Sequence, residues 1–181
     1  MLYDLTLRIT REMRTTAEGN EKKSLSGHLG THFDVMDKEF PLAYTRRQGI
    51  CFDVRGLEKV GLEDVNLSQA EAGMFVSFYS GFIEEAGYGS QRYFKEHPEL
   101  SHALIEALLE KGVSIIGIDF AGIRRGKEHT PADQKCADRG AFVVENLCNL
   151  GEICGKQFTA HTYPMNYTEM SGLPCRVVAE V

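Results

Sequence analysis

The stretch SHALIEALLEKGVSIIGIDF, residues 101–120, carries two patterns back to back. In its first half, Leu104, Ile105, Leu108 and Leu109 recur at the three- and four-residue spacing that puts apolar side chains on one helical face. Ser101 supplies an N-cap and Gly112 a terminator, so the spacing predicts a helix over 101–112. The second half, VSIIGIDF, is nearly continuously apolar, the pattern of a strand covered on both faces. A helix running directly into such a strand places the chain among folds in which helices pack on a sheet.

Working outward, ICFDV (50–54) and MFVSFYS (74–80) are rich in β-branched and aromatic residues and read as strands. YDLTLRI (3–9) alternates loosely as a first strand, and the polar stretch 10–23, with Gly19 and Asn20, reads as a loop. Downstream, Thr130 caps a helix with Pro131 at its first position, running to about Arg139 and ending at Gly140. AFVVENL (141–147) and PCRVVAEV (174–181) complete the strands. The expected class is α/β, or mixed α+β. With no linker, repeat or shift in composition, residues 1–181 read as one domain.

Hydrophobic residues at 43% and charged residues at 25% are ordinary for a globular chain. A formal charge of −6 argues against nucleic acid or an anionic membrane surface as partner. No run approaches the ~18 apolar residues of a membrane span, and MLYDLTLRIT lacks the blocks of a signal peptide. The cysteines (51, 136, 148, 154 and 175) are odd in number and form no CxxC pair. That usage suits reduced thiols in a cytoplasmic protein better than a disulfide framework or a thiolate zinc site.

The chemistry concentrates in SGHLGTHFDV (26–35). As an HxxxH helix, His28 and His32 would share a face, but no amphipathic pattern surrounds them. In an extended chain His28, Gly30, His32 and Asp34 fall on one side, with Leu29, Thr31, Phe33 and Val35 on the other. His32 and Asp34 are close enough to share an ion. His28 joins them only if the chain bends, and Gly30 bends without steric cost. Imidazole with carboxylate suits Zn²⁺, Mn²⁺ or Fe²⁺ rather than Ca²⁺. Hydrogen-bonding histidines without metal are the bland alternative.

Glu145 lies in the apolar VVENL, where an unpaired buried carboxylate is costly. Either alternation gives it an exposed face, or it closes a metal site from a distant part of the chain. In GIDFAGIRRGKEHTPADQ (117–134), Asp119 ends the apolar strand, a frequent place for site residues. His129 and Asp133 are four apart, while Thr130-Pro131-Ala132-Asp133 also matches a capping box. Arg124 and Arg125 read as a solvated basic turn or as a guide for a carboxylate substrate. His161 fits either the site or the core, and His97 and His102 read as surface residues.

H-x-G-T-H-x-D, residues 28–34, resembles the signature of the metal-dependent cyclase family, whose best-known hydrolases are the bacterial kynurenine formamidases. YDLTLRI, MFVSFYSGF, GVSIIGIDFAGI, AFVVENL and SGLPCRVVAEV resemble its other landmarks, in order. The resemblance implies a swivelling β/β/α fold, dimers or tetramers, a divalent metal (Zn or Mn), and hydrolysis of an amide-type bond in a small molecule. It implies His28, His32, Asp34 and Glu145 as ligands, with a carboxylate accepting a proton from attacking water. The family motif continues D-x-P-x-H, whereas here Met36 and Lys38 replace the proline and histidine, and a further family histidine falls at or beside Asp133. The expectation is therefore a site reduced to one ion or rebuilt. In it either Asp133 replaces that histidine as a ligand or His129, one turn earlier, reaches in, and Lys38 supplies the charge of a missing cation. A catalytically idle metal-binding relative is the alternative.

Overall fold

The apolar segment after residue 112 does form a strand, at Ile115–Ile118, in the middle of the sheet of the computed structural model, which describes residues 1–11, 13 and 20–181. In chain order the strands are β1 (Leu2–Asp4), β2 (His32–Asp34), β3 (Arg46–Asp53), β4 (Lys59–Val60), β5 (Phe75–Tyr79), β6 (Glu99–Leu100), β7 (Ile115–Ile118), β8 (Phe142–Glu145), β9 (Gln157–Pro164) and β10 (Gly172–Glu180). The helices are α1 (Asn20–Leu25), α2 (Phe82–Ala86), α3 (Gln91–Lys95), α4 (His102–Lys111) and α5 (His129–Asp138).

Strands pair in the order β1-β10-β2-β8-β7-β5-β3-β9, and β9 also pairs with β10. That last pairing closes a barrel of seven strands, with β1 attached outside the ring. β3, β5, β7 and β8 run parallel, while β2 and β9 are antiparallel to their neighbours. Alternation sorts the residues between two cores. Ile115, Phe75, Phe142, Val144, Phe33 and Val177 fill the barrel, and Ile116, Ile118, Val76, Phe78 and Val143 face the helices. Gly117 points inward, where a Cβ would come within 2.8 Å of Phe75 and 2.9 Å of Leu147. The strand is doubly buried because α4 covers one side with Leu104, Ile105, Leu108 and Leu109. Ser101 and Gly112 cap α4 as expected, Ser101 accepting from the Leu104 amide.

Four local expectations need correction. The first strand stops at Asp4, because the Asp4 carboxylate accepts from the Thr6 amide and turns the chain. Part of the expected loop at 10–23 is α1, while residues 12 and 14–19 lie outside the described set. The cap expected at Thr130 is absent: a 3₁₀ turn at Gly126–Glu128 feeds into α5, which already begins at His129. β9 was unexpected; it buries Phe158, Ala160 and Thr162 and alternates them with polar positions. Among the described residues no helix is long and apolar enough to cross a membrane.

Candidate metal centre

The His-Phe-Asp of β2 puts Phe33 into the barrel and so turns His32 and Asp34 to its outer face. β8 does the same: Phe142 and Val144 point inward, Val143 and Glu145 outward. Register completes the arrangement, since His32 pairs directly with Glu145 and Asp34 with Val143. α5 covers this face, and His129 and Asp133, four apart, lie on one side of it. His28 comes from the loop before β2. Gly30 takes φ +76° there, the bend read from the sequence.

The donor atoms fall into two groups. His28, His32 and Asp34 form one; Asp34, His129, Asp133 and Glu145 form the other, each with its ligand atoms within 4.8 Å of one another. Asp34 belongs to both. His28 Nε2 and His32 Nε2 lie 3.1 and 3.5 Å from Asp34 Oδ1. His129 Nε2 lies 3.1 Å from Asp133 Oδ2 and 3.3 Å from Glu145 Oε1, the latter outside hydrogen-bond geometry. His32 Nε2 is 3.6 Å from Glu145 Oε2.

Four buried atoms here have no hydrogen-bond partner: His32 Nε2, Asp34 Oδ2, Asp133 Oδ1 and Glu145 Oε1. Among the described residues the one other such atom is Arg47 Nε. Each orphan costs about 1–3 kcal/mol unless something satisfies it. Divalent cations seated in the two donor groups would satisfy all four, so these residues fit such ions.

Charge in the metal-free chain points the same way. Burial opposes a proton on His32, but Asp34, Glu145 and the Gly30 carbonyl outweigh it and hold its pKa up at about 9. Burial likewise opposes the charge on His129, yet Asp133 and Glu145 raise it to about 11. Asp133 is pushed up to about 8, by burial first and then by repulsion from Asp34 and Glu145, against its bond to His129. Glu145 rises through burial and the Asp34 charge. Three carboxylates crowded in a dry cleft need positive charge.

Neighbouring residues fix the imidazoles. His32 Nδ1 donates to the Gly30 carbonyl at 2.8 Å, which leaves Nε2 as the donor toward an ion. His28 Nδ1 meets Ser26 Oγ at 3.0 Å. Three bracing residues went unread in the sequence. Asn146, buried at φ +59°, donates to Gly30 O at 2.8 Å and accepts from the Tyr93 hydroxyl at 2.7 Å. Thr31 donates to Asn146 O and accepts from the Leu7 amide. Gly122 leaves room for His129, whose Cε1 would sit 2.7 Å from a Cβ. The readable signal was an Asn directly following the buried Glu145.

Several other candidates lie elsewhere. Lys38 bonds Asp37 at 3.1 Å and Asp138 at 2.9 Å on the surface, so the charge expected from it at the centre is engaged there. Met36 stands at φ +58°, a backbone that proline cannot adopt, so this loop leaves β2 by a route closed to the family proline. Asp119 is buried and accepts from Ser80 Oγ and the Ser80 and Gly81 amides, fixing the head of α2. His161 on β9 pairs with Glu180 on β10. His97 is buried rather than exposed, stacked on Phe120 and bonded to Pro98 O. Arg124 is also buried, held by the Leu100 carbonyl, Glu128 and Glu99, because these partners replace its water.

A family model described as putative cyclase matches residues 3–124, more than half of the 181-residue chain. The chain belongs to the cyclase family. Solved structures share this cyclase fold. One, described as a potential metal-dependent hydrolase with cyclase activity, has a TM-score of 0.77 at 19% identity, covering 99% of this chain and 96% of that one. A predicted metal-dependent hydrolase from Bacillus stearothermophilus gives 0.74 at 18%, with 99% and 97% covered. Isatin hydrolase A from Labrenzia aggregata gives 0.77 at 16%, with 99% and 93% covered. No curated protein matches this cyclase-family sequence.

Proposed function

We propose that this cyclase-family chain is a metal-dependent hydrolase that opens the C–N bond of a small amide, with aryl formamides and cyclic amides such as isatin as first candidates. The observation that carries the reading is the convergence of six donor residues around four buried, unpartnered ligand atoms. Amide hydrolysis is supported by the fold shared with isatin hydrolase A. Zn²⁺ and Mn²⁺ fit the imidazole and carboxylate donors best.

His28, His32 and Asp34 would hold one ion, and Asp34, His129, Asp133 and Glu145 a second. When bound, such ions polarise a carbonyl and lower the pKa of water. The rest falls to the chain. Gly30 O keeps His32 in the tautomer that presents Nε2. Asp133 and Glu145 orient the attacking water and accept its proton, which then passes to the leaving nitrogen. Tyr88, bonded to the Gly30 amide and packed with Tyr93 and Phe94, is the aromatic ring placed to flank a flat substrate in this reading. Lys38 has no part in this mechanism.

The test compares protein loaded with Zn²⁺ or Mn²⁺ and chelated protein, on N-formylaniline and on isatin, with metal content measured in parallel. About two ions per chain, turnover abolished by chelation, and loss of turnover with about one ion fewer in His32→Ala are expected. Metal bound at full content without turnover of any small amide leaves the idle relative in its place.

A further inference from the structure

Cys51 on β3 and Cys154, in the turn before β9, are 103 positions apart in sequence, yet the fold sets the two residues side by side. The backbone holds them together: the Gly155 amide donates to the Cys51 carbonyl at 3.2 Å, and Cys154 Sγ lies 3.8 Å from that same oxygen. Cys51 is buried in the barrel core beside Leu150, whereas Cys154 is partly open to solvent. A buried thiol behind an accessible one is the arrangement of a resolving and an attacking cysteine. We propose that Cys51 and Cys154 form a peroxide-sensitive dithiol that closes reversibly to a disulfide.

The two thiols differ in reactivity as such a pair requires. Cys154 is drawn below its usual pKa, by the hydrogen bond from Cys51 first, with help from Arg55 and the Gly155 amide and against burial. Cys51 is raised, by the Cys154 bond and then by burial. Burial raises the others too, Cys136 and Cys148 each to about 12 and Cys175 likewise upward. Only Cys154 is prepared to act as a thiolate.

The oxidant is a hydroperoxide. The Cys154 thiolate attacks a peroxide oxygen and the O–O bond breaks. The sulfur loses two electrons to become a sulfenic acid, and hydroxide leaves as water after taking up a proton. Cys51 sulfur then attacks Cys154 sulfur. The S–O bond breaks, and the departing hydroxide takes the Cys51 proton. Two thiols and one hydrogen peroxide thus give one disulfide and two waters. Thiol exchange with a reductant reverses the step. Cys51 lies in the barrel core with Cys154 packed against it, and the metal donors lie on the outer face, so neither step uses a metal ligand.

The experiment treats the full chain with equimolar hydrogen peroxide, alkylates it after unfolding, and maps the peptides by mass spectrometry. Free thiols are expected to fall by two from the five in the sequence, with one joined peptide pair carrying Cys51 and Cys154, both restored by dithiothreitol. Before oxidation, brief native alkylation should label Cys154 at least tenfold faster than the other four. Cys154→Ser should form no disulfide. Cys51→Ala should stall as a dimedone-reactive sulfenic acid at Cys154; if that variant does not fold, the wild-type peptide map decides alone. Exposed Met165 serves as an internal control. Its oxidation while Cys154 stays a free thiol overturns the proposal, as does a disulfide joining any other pair.

Discussion

Asn146→Ala tests whether the metal centre is held from behind. The side chain joins two buried groups, the Tyr93 hydroxyl at 2.7 Å and the Gly30 carbonyl at 2.8 Å. Removing it orphans the Tyr93 hydroxyl, whose residue is fully buried, at about 1–3 kcal/mol. The Gly30 carbonyl keeps His32 Nδ1 and loses only the net value of one bond, about 1 kcal/mol. Alanine also tolerates the left-handed φ of +59° worse than asparagine, by about 1 kcal/mol. A loss of about 3–5 kcal/mol follows, which for a chain of this size lowers the melting temperature by roughly 10 °C. Because Gly30 O then orients His32 with one brace fewer, metal affinity should fall by about 10- to 100-fold. Thermal unfolding and a metal titration of folded protein measure the two effects separately. Tyr93→Phe closes a double-mutant cycle: once the hydroxyl is gone, Asn146→Ala should cost about 1–2 kcal/mol less. A strictly additive double mutant, or a single mutant melting within a degree of wild type, refutes the brace.

Three further outcomes follow from the geometry. Gly122→Ala places a Cβ 2.7 Å from His129 Cε1 and 2.9 Å from Arg124 O at φ +118°, so it should displace His129 and reduce metal content by about one ion per chain, with the circular dichroism retained. Met36→Pro loses the Met36 amide bond to Ser171 O at 3.0 Å as well as its φ, and should destabilise the chain by more than about 1 kcal/mol in urea melts, while Met36→Gly stays near wild type. In the metal-free chain His32, His129 and Asp133 all have raised pKa values, so the folded state binds protons that the unfolded state has lost. Stability from Asp133 is complete below its ordinary value of 3.8 and fades as pH rises through about 8. That from the histidines is complete below 6.5 and fades through about 9 for His32 and about 11 for His129. Metal must displace these protons, so its affinity should rise from pH 6 to pH 9, with proton release seen by calorimetry in buffers of different ionisation heat. A pH-independent affinity contradicts this account.

What was legible in the sequence depended on local signals. Helix α4 announced itself through its apolar spacing and both caps, and the strand after it through unbroken apolarity. The grouping of His28, His32 and Asp34 is legible in two-residue alternation plus one glycine bend, whereas the apolar run leaves Glu145 open between an exposed face and the site, and the family resemblance makes it a ligand. What was missed is set by partners remote in sequence. His97 is buried because Phe120 stacks on it, and Arg124 because Glu99 and the Leu100 carbonyl reach it. Asp133 reads locally as part of a capping box ahead of a ligand; only the packing of α5 against β2 and β8 turns it toward Asp34 and Glu145. β9 is half polar because its outer side meets solvent, which diluted its strand signal.

The closing strand also governs when the centre can exist. β10 lies against β2 through Gly172–Pro174, and Gly172 has no Cβ to strike the His28 ring, which would sit 2.9 Å away. On a ribosome, the histidines of residues 28 and 32 therefore emerge long before the strand that seats them. Until residues 172–174 arrive, β2 is held on one edge only, and the nascent chain is an open sheet with bare main-chain groups. Assembly of the centre is then a late event in synthesis, which makes the interval before β10 docks the time when the chain is most exposed to proteases and to mispairing with its neighbours.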